Sequence, residues 1–430
     1  MTITFSQNRQ PAPAEKKAVL VGVELPRATS MSVSFEELEG LATTANYHPV
    51  ARLSQKLSTI NPKTFLGSGK VEELGQAVSH HEPDAVIFDA ELSPGQNRNL
   101  ENILKCRVID RSWLILEIFN DHAHTREAKT QVELARLRYA LPRLTRMWGH
   151  LSRQRGGIGL KDVGETQIQL DRRLIRNEIT KLERKLIQID KEKVTQRKSR
   201  QGIYRVALVG YTNVGKSTLM NRLTGADTLV EDKLFATLDP TIRKIKKNFP
   251  YPVLLADTVG LIDKLPHDLV ASFKSTLDEV READLLIKLV DFSHPHYRKQ
   301  METVDQVLTE LGAQEIDSLL VFNKIDQISD PELLAKARYL SPEAVMISCK
   351  TGDGIEHLQQ AIIRCYENRL IPYTLELKYS QTDLISEIRK QAIIVKEDYE
   401  EDRIVLSLRL PPGEKDRLSK LLQQKSSTPL

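Results

Sequence analysis

Apolar residues in the first part of the chain form short continuous runs, separated by stretches in which they recur at helical spacing. The runs predict strands at 18–25, 51–56, 85–89 and 107–110. The spaced stretches predict helices at 34–45, 71–79 and 97–105. Strands and helices that alternate with short links are typical of a parallel α/β domain, which we assign to residues 1–124.

Beyond residue 125 the apolar positions keep helical spacing over a longer stretch. A heptad seam, typical of a long helix, is formed by Ile168, Ile175, Ile179, Leu182, Leu186 and Ile189. An earlier helix contains Pro142, which should kink or weaken it, and the glycine-rich segment 156–165 should interrupt helical structure. Residues 125–202 are therefore predicted to form an antiparallel helical hairpin with a glycine-rich loop.

Residues 203–370 return to alternating strands and helices, beginning with the apolar run at 206–210. Strand-like runs at 374–379, 392–397 and 403–410 surround a helix-like stretch and predict a small α+β domain at 371–430. The predicted fold class is α/β. It combines an N-terminal parallel α/β domain, a helical hairpin, a further α/β domain at 203–370 and a small α+β C-terminal domain.

The composition, with 40% hydrophobic and 28% charged residues, is typical of a soluble globular protein. No apolar run reaches the roughly 18 residues that a membrane-spanning helix needs, and the first residues lack a secretory signal pattern. Three widely spaced cysteines favour neither a disulfide framework nor a zinc site. We expect a cytoplasmic monomer without an integral membrane segment, and peripheral association with a membrane stays open.

The net charge of +4 conceals a strong asymmetry. Residues 126–200 contain 20 Lys and Arg against 9 Asp and Glu, so this segment alone carries +11. Positive charge concentrated on a thin helical hairpin favours contact with a polyanion such as folded RNA. A solvated coiled-coil linker is the alternative explanation of the same pattern.

The strongest chemical signal is an eight-residue segment between an apolar strand and a helix-compatible stretch. It consists of Gly210, Tyr211, Thr212, Asn213, Val214, Gly215, Lys216 and Ser217. The spacing is that of a phosphate-binding loop, in which glycines let backbone N–H groups surround phosphate oxygens. Lys216 is predicted to neutralise the β- and γ-phosphates, and Ser217 to ligate Mg²⁺.

Three further segments occur in the order that a GTP site requires, and each follows a predicted strand. The first is Asp257, Thr258, Val259 and Gly260, where the carboxylate can hold Mg²⁺ through water and the Gly260 amide can contact the γ-phosphate. The second is Asn323, Lys324, Ile325 and Asp326, whose last carboxylate can accept two hydrogens that guanine offers and adenine lacks. The third, Ser348, Cys349 and Lys350, is expected to support the guanine oxygen. Residues 203–370 are therefore predicted to form a P-loop G domain.

A candidate switch segment lies between the phosphate loop and Asp257. It contains Phe235, Ala236, Thr237, Leu238 and Asp239, which we expect to lie against the nucleotide. A threonine here should close over the nucleotide and bind Mg²⁺ when the γ-phosphate is present. Thr237 is the predicted residue and Thr241 the alternative, so Lys216, Thr237 and Gly260 are the predicted catalytic contacts.

The residue just past the aspartate–glycine segment is Leu261, where Ras-like enzymes have a glutamine that orients the attacking water. Because leucine neither donates nor accepts a hydrogen bond, we expect slow intrinsic hydrolysis that a partner accelerates. Asn213 offers an amide oxygen within the phosphate loop. It either holds K⁺ near the β- and γ-phosphates or only braces the loop.

Longer segments of the chain together resemble the HflX family, in the Obg–HflX branch of ribosome-associated GTPases. They are PKTFLGSGK (62–70), FDAELSPGQNRNLE (88–101), RVIDR (107–111), QVELARLRY (131–139), GGIGLKDVGETQIQLDRR (156–173), GYTNVGKST (210–218), LFATLDPT (234–241), DTVG (257–260) and NKID (323–326). The resemblance implies binding to the large (50S) ribosomal subunit and GTP-dependent rescue or dissociation of stalled ribosomes. It also implies Ser217 and Thr237 as Mg²⁺ ligands.

The same resemblance implies that the glycine loop of the hairpin reaches ribosomal RNA near the peptidyl-transferase centre. Arg153, Arg155 and Lys161 lie beside or within that loop and are the candidate RNA contacts. Their positive charge suits RNA phosphates.

The segment from Gly67 to Lys70 leaves a second function open. It resembles a phosphate-binding loop, but without the full spacing such a segment is more often a turn that begins a helix. A phosphate site here would favour an ATP-dependent RNA or ribosome remodelling enzyme with GTP as regulator. A non-hydrolysing RNA-binding switch is a third hypothesis, which the intact nucleotide motifs disfavour.

Overall fold

The computed structural model describes residues 16–24, 31–144, 161–198, 203–226, 233–245, 249–263, 278–411 and 415. The chain divides into two compact units. The first comprises Met1–Asp190, Val230–Asp239 and Val259–Leu277, and the second comprises Lys191–Leu229, Pro240–Thr258 and Asp278–Leu430. Each unit is described by itself.

The first unit is built on a four-stranded parallel sheet, which confirms the predicted parallel α/β architecture of the N-terminal part. Its strands are β1 (Lys16–Glu24), β2 (Tyr47–Lys56), β3 (Ala85–Phe88) and β4 (Arg107–Asp110), in the order β2-β1-β3-β4. The helices between them are α1 (Met31–Thr44), α2 (Ser68–His81) and α3 (Pro94–Leu104). Every residue of β3 is buried, as expected for a parallel strand that is covered on both faces.

A fourth helix, α4 (Arg111–His122), follows β4 directly and was not predicted. The Asp110 carboxylate caps its first turn by accepting a 2.9 Å hydrogen bond from the Trp113 amide. Five apolar residues of α4 are buried and lie almost next to one another: Leu114, Ile115, Leu116, Ile118 and Phe119. A helix buried on most sides lacks the alternation of polar and apolar positions that marks an amphipathic helix, so its periodicity is weak.

The basic segment forms two helices in the described residues, α5 (Arg126–Ala140) and α6 (Lys161–Lys198). α5 ends at Ala140, two residues before Pro142, which was predicted to kink or weaken this helix. The prediction that 156–165 interrupts helical structure is wrong for residues 161–165, because α6 begins at Lys161 and includes Gly164. One glycine costs a helix only about 1 kcal/mol relative to alanine, which a helix of 38 residues tolerates.

Leu182 and Ile189 of the predicted heptad seam are buried. Arg138 of α5 pairs with Glu183 of α6 at 2.7 Å. The antiparallel direction of the hairpin stays a prediction. None of the helices in the described ranges is both long and apolar enough to cross a lipid bilayer.

The second unit contains the predicted P-loop architecture. Its six strands are β5 (Tyr204–Gly210), β6 (Thr241–Lys244), β7 (Val253–Asp257), β8 (Leu285–Asp291), β9 (Ser318–Asn323) and β10 (Val345–Met346), in the order β10-β9-β8-β5-β7-β6. All pairs are parallel except β6 with β7. The helices are α7 (Lys216–Thr224), α8 (Asp278–Arg281), α9 (Tyr297–Glu310), α10 (Pro331–Leu340) and α11 (Ile355–Asn368).

A small antiparallel sheet completes the second unit and confirms the predicted α+β end of the chain. It contains β11 (Ile371–Lys378), β12 (Ile393–Tyr399) and β13 (Arg403–Leu410), in the order β11-β13-β12, with α12 (Asp383–Gln391) between β11 and β12. Alternate residues of β13 are buried, so one face of the sheet forms a core with α12.

Candidate functional site

The phosphate loop connects the end of β5 to the start of α7, and two of its positions require glycine. A Cβ added at Gly210 would lie 2.3 Å from the Leu289 carbonyl oxygen. At Gly215 the backbone φ is +96°, and a Cβ would lie 2.5 Å from Nδ2 of Asn323. A side chain at position 210 would therefore clash with the Leu289 backbone, and one at position 215 would clash with the Asn323 side chain.

Lys216 is the first residue of α7 and is almost completely buried. Its ammonium donates to the carbonyl oxygens of Tyr211 at 2.7 Å and Gly210 at 3.2 Å. Burial lowers the pKa of Lys216 to about 8, and the negative charge of Asp257 opposes that shift. A buried cation that donates to neutral carbonyls, with one carboxylate nearby, is suited to receive the negative charge of a triphosphate.

Ser217 and Asp257 together present the oxygen atoms that a magnesium ion needs. The Ser217 hydroxyl donates a 2.7 Å hydrogen bond to Oδ2 of Asp257, which is itself 2% exposed at the end of β7. Mg²⁺ binds hard oxygen ligands and often reaches carboxylates through water, so this pair fits such an ion beside the phosphate loop. Thr258 anchors the same strand end, because its hydroxyl donates to the Leu208 carbonyl at 2.6 Å.

Asn323 joins the predicted guanine-binding segments to the phosphate loop. Its amide nitrogen donates to the Val214 carbonyl at 2.7 Å, and its amide oxygen accepts from the Cys349 backbone N–H at 3.0 Å. The side chain is 1% exposed. Its role is therefore to hold three segments together.

The predicted base-selecting carboxylate is held in place by the third segment. Ser348 donates a 2.6 Å hydrogen bond to Oδ1 of Asp326. Cys349 is buried, and burial raises the pKa of its thiol to about 12. The structure thus brings the residues predicted at 323–326 and 348–350 together with the phosphate loop.

Two residues that support this region were not predicted. Arg222 of α7 donates to the carbonyl oxygens of Cys349 at 2.9 Å and Lys350 at 2.5 Å. Asp291 at the end of β8 pairs with Lys324 at 2.7 Å, and Lys324 has a left-handed backbone with φ 62°. Asp291 lies at the carboxyl end of β8, the edge of the sheet where ligands bind in such folds, but neither it nor Arg222 belongs to a predicted motif.

The predicted switch residues 235–239, called switch I below, belong to the first unit. Phe235 and Leu238 are buried, Thr237 is half-buried and Ala236 is exposed. The Asp239 carboxylate accepts hydrogen bonds from the backbone N–H groups of His124 and Thr125 at 2.9 and 3.0 Å.

Residues 259–263, called switch II below, also belong to the first unit. Val259, Gly260, Leu261 and Ile262 are all buried. Leu261, in the place of the Ras-like glutamine, is 4% exposed.

The remaining predicted contacts divide between described and undescribed residues. Arg153 and Arg155 lie outside the described residues, and Lys161 is the first residue of α6. In the segment 67–70, Lys70 lies in the first turn of α2 and pairs with Glu73 at 2.6 Å. This segment is the start of a helix, which does not favour the ATP-dependent alternative.

Two relatives decide the family. GTPase HflX from Escherichia coli K12 is 43% identical over 411 residues, which cover 95% of this chain and 96% of the relative. The chain belongs to the HflX family. GTPase HflX from Flavobacterium psychrophilum is 50% identical over 314 residues, which cover 72% of this chain and 76% of that relative.

Family models match this HflX-family chain in three successive regions. They are described as GTP-binding GTPase N-terminal (residues 32–120), GTP-binding GTPase Middle Region (122–200) and 50S ribosome-binding GTPase (205–324). A crystal structure of a Sulfolobus solfataricus GTP-binding protein in complex with GDP has a TM-score of 0.45 and 27% identity, covering 81% of this chain and 98% of that one. This HflX-family chain is a GTPase, as predicted.

Proposed function

We propose that this GTPase binds the large ribosomal subunit and uses GTP binding and hydrolysis to dissociate or rescue stalled ribosomes. The observation that carries the nucleotide part is the hydrogen bond from Asn323 to the Val214 carbonyl, which joins the segment ending in Asp326 to the phosphate loop. Ser348 donates a further hydrogen bond to the Asp326 carboxylate. The ribosomal part is supported by the charge of +11 on residues 126–200 and by the name of the matching family model, 50S ribosome-binding GTPase.

Within this proposal, Ser217 and Thr237 ligate Mg²⁺, Asp257 holds it through water, and the Gly260 amide contacts the γ-phosphate. The support is the 2.7 Å hydrogen bond between Ser217 and Asp257, which already brings two suitable oxygen atoms together. A bound magnesium ion supplies positive charge that stabilises the negative charge developing on the phosphates.

Asn213 is proposed to hold K⁺ near the β- and γ-phosphates. It is exposed at the phosphate loop, and its backbone φ of 61° is one that asparagine tolerates better than most residues. A monovalent cation there would supply the charge that an arginine supplies in other GTPases.

The glycine loop of the hairpin is proposed to contact ribosomal RNA through Arg153, Arg155 and Lys161. The proposal includes the four predicted domains, with boundaries after residues 124, 202 and 370. It also includes a monomeric state and a cytoplasmic location, with peripheral membrane association as an added possibility. The charge of the hairpin supports its RNA-binding role.

Sedimentation with purified ribosomal subunits tests this function. We expect the protein to sediment with the large subunit in a non-hydrolysable GTP analogue and less in GDP. Arg153→Ala with Arg155→Ala should abolish sedimentation while leaving the Kd for GTP unchanged. Lys56→Ala with Lys396→Ala is the matched control, because it removes two exposed basic residues elsewhere. Equal sedimentation of both double variants would contradict the proposal.

A further inference from the structure

Switch I packs on two helices of the N-terminal part of the chain. The ring of Phe235 meets the ring of Phe119 in α4 edge to face, with centroids 4.8 Å apart. Both side chains are at most 2% exposed, and Leu238 is also buried. The two apolar residues thus anchor the segment on either side of Thr237.

Asp239 adds a polar contact at the start of α5. Thr125 is the N-cap of α5, since its hydroxyl accepts a 3.1 Å hydrogen bond from the Ala128 amide. The same hydroxyl donates to Asp239, whose carboxylate also accepts the N–H groups of His124 and Thr125. A negative charge beside a helix N-terminus is electrostatically favourable, so Asp239 extends the cap of α5.

Switch II is held by the same part of the chain through a buried arginine. Arg111, at the start of α4, donates to the backbone carbonyl of Asp263 at 2.9 Å. Its side chain is 3% exposed, and its guanidinium pairs with Asp89 at 2.6 Å and with Glu37. An arginine held by two carboxylates has little freedom to move, so it fixes the carbonyl that it binds.

We propose that the Asp239–Thr125 pair is a latch that positions switch I for GTP hydrolysis and links its position to the first turn of α5. Ordering a backbone segment is entropically costly, and a latch two residues from Thr237 orders that segment before the reaction begins. Asp239 and Thr125 are therefore positioning residues. Because such linkage is reciprocal, the state of the nucleotide also alters the order of the start of α5. The inference that a change in order at the start of α5 affects RNA binding by the hairpin rests on the proposed function above.

Single-turnover hydrolysis by the full chain, without ribosomes, tests the latch. Asp239→Ala is expected to lower the rate about tenfold and to weaken binding of a non-hydrolysable GTP analogue relative to GDP, because hydrogen bonds to a charged group that order switch I are lost. Thr125→Ala should lower the rate less, since two backbone N–H groups still reach Asp239. Thr125→Ser keeps the hydroxyl and should restore the wild-type rate.

A double-mutant cycle separates the latch from general loss of stability. The variant that combines Asp239→Ala with Thr125→Ala should be no slower than Asp239→Ala alone, because both changes remove one interaction. Ser93→Ala is the matched control: it removes the cap of α3 and should leave the rate unchanged.

Hydrogen exchange provides the second readout. The amides of residues 124, 125 and 128 should exchange at different rates in GDP and in a non-hydrolysable GTP analogue, and Asp239→Ala should abolish that difference. An unchanged or higher rate in Asp239→Ala, additive effects in the cycle, or equal slowing by Ser93→Ala would overturn the latch. Loss of ribosome binding would not affect these results, so failure of the proposed function is distinguishable.

Discussion

Asn323 donates a 2.7 Å hydrogen bond to the carbonyl oxygen of Val214, although the two residues are 109 positions apart. The other end of the same side chain accepts the Cys349 backbone N–H. One buried amide thereby connects the segment predicted to recognise the base with the predicted phosphate-binding loop.

Asn323→Ala is expected to reduce both stability and nucleotide affinity. It leaves a buried carbonyl and a buried N–H without partners, at a combined cost of about 3 kcal/mol in the free energy of unfolding. Thermal unfolding and GTP titration measure the two effects. Asn97→Ala is the control, because its amide donates to the Val108 carbonyl at 3.1 Å in the first unit. That variant should lose stability without losing affinity for GTP.

Asp326→Asn is expected to change which base is bound. The asparagine amide cannot accept both guanine hydrogens, so affinity for GTP should fall about a hundredfold. Xanthosine triphosphate, which has an oxygen in place of the 2-amino group, should bind the variant better than GTP does. Competition binding against the wild type measures the change, and retained GTP preference would refute the assignment of Asp326.

Lys216→Met is expected to stabilise the nucleotide-free protein while abolishing GTP binding. A pKa of about 8 in the folded protein instead of 10.5 means that the buried charge costs about 3 kcal/mol at pH 7. Between pH 8 and 10.5 the unfolded chain binds more protons than the folded one, so wild-type stability rises with pH. Thermal unfolding should therefore show that the variant is more stable than the wild type at pH 8, and that this difference in stability becomes smaller as the pH rises to 10.5. A less stable variant at pH 7 would contradict it.

Leu261→Gln is expected to leave the intrinsic rate of GTP hydrolysis within about twofold of wild type. The Leu261 side chain is buried in the first unit, so a glutamine there occupies a packed apolar position. Burying its amide should lower the free energy of unfolding by about 1–3 kcal/mol. Leu261→Met controls for packing. A tenfold faster reaction would show that only the missing glutamine limits the rate.

Hydrolysis is expected to be about tenfold faster in KCl than in NaCl if Asn213 holds a cation. Asn213→Gly should remove this difference, because glycine keeps the left-handed backbone but has no amide oxygen. Asn46→Gly is the matched control, since Asn46 has the same φ of 61° in the first unit. Equal rates in both salts would leave Asn213 only the role of bracing the loop.

The nucleotide site was largely predictable because its chemistry is local. Eight consecutive residues of the phosphate loop and two short segments after strands carry the glycines, the ammonium and the carboxylates. The structure brings Asp326 and Ser348 within 2.6 Å because both follow neighbouring parallel strands of one sheet. Alternating apolar runs likewise indicated the sheets of both units.

What was missed depends on contacts between residues far apart in the chain. Asp239 stays a predicted nucleotide contact, and the motif around it gives no sign that its carboxylate also caps a helix 114 positions earlier. Arg222 was overlooked because an arginine late in a helix is usually solvated. α4 was missed because its buried apolar residues lie almost next to one another and so do not follow the spacing of an amphipathic helix.

The position of Cys349 has a consequence for redox chemistry. Thiolates, not thiols, react with peroxides and other electrophiles, and the pKa of about 12 keeps this buried sulfur protonated at physiological pH. Cys349 therefore serves as a small apolar residue in the loop that is predicted to support base recognition. Oxidants that modify exposed low-pKa cysteines should leave the selectivity for guanine intact.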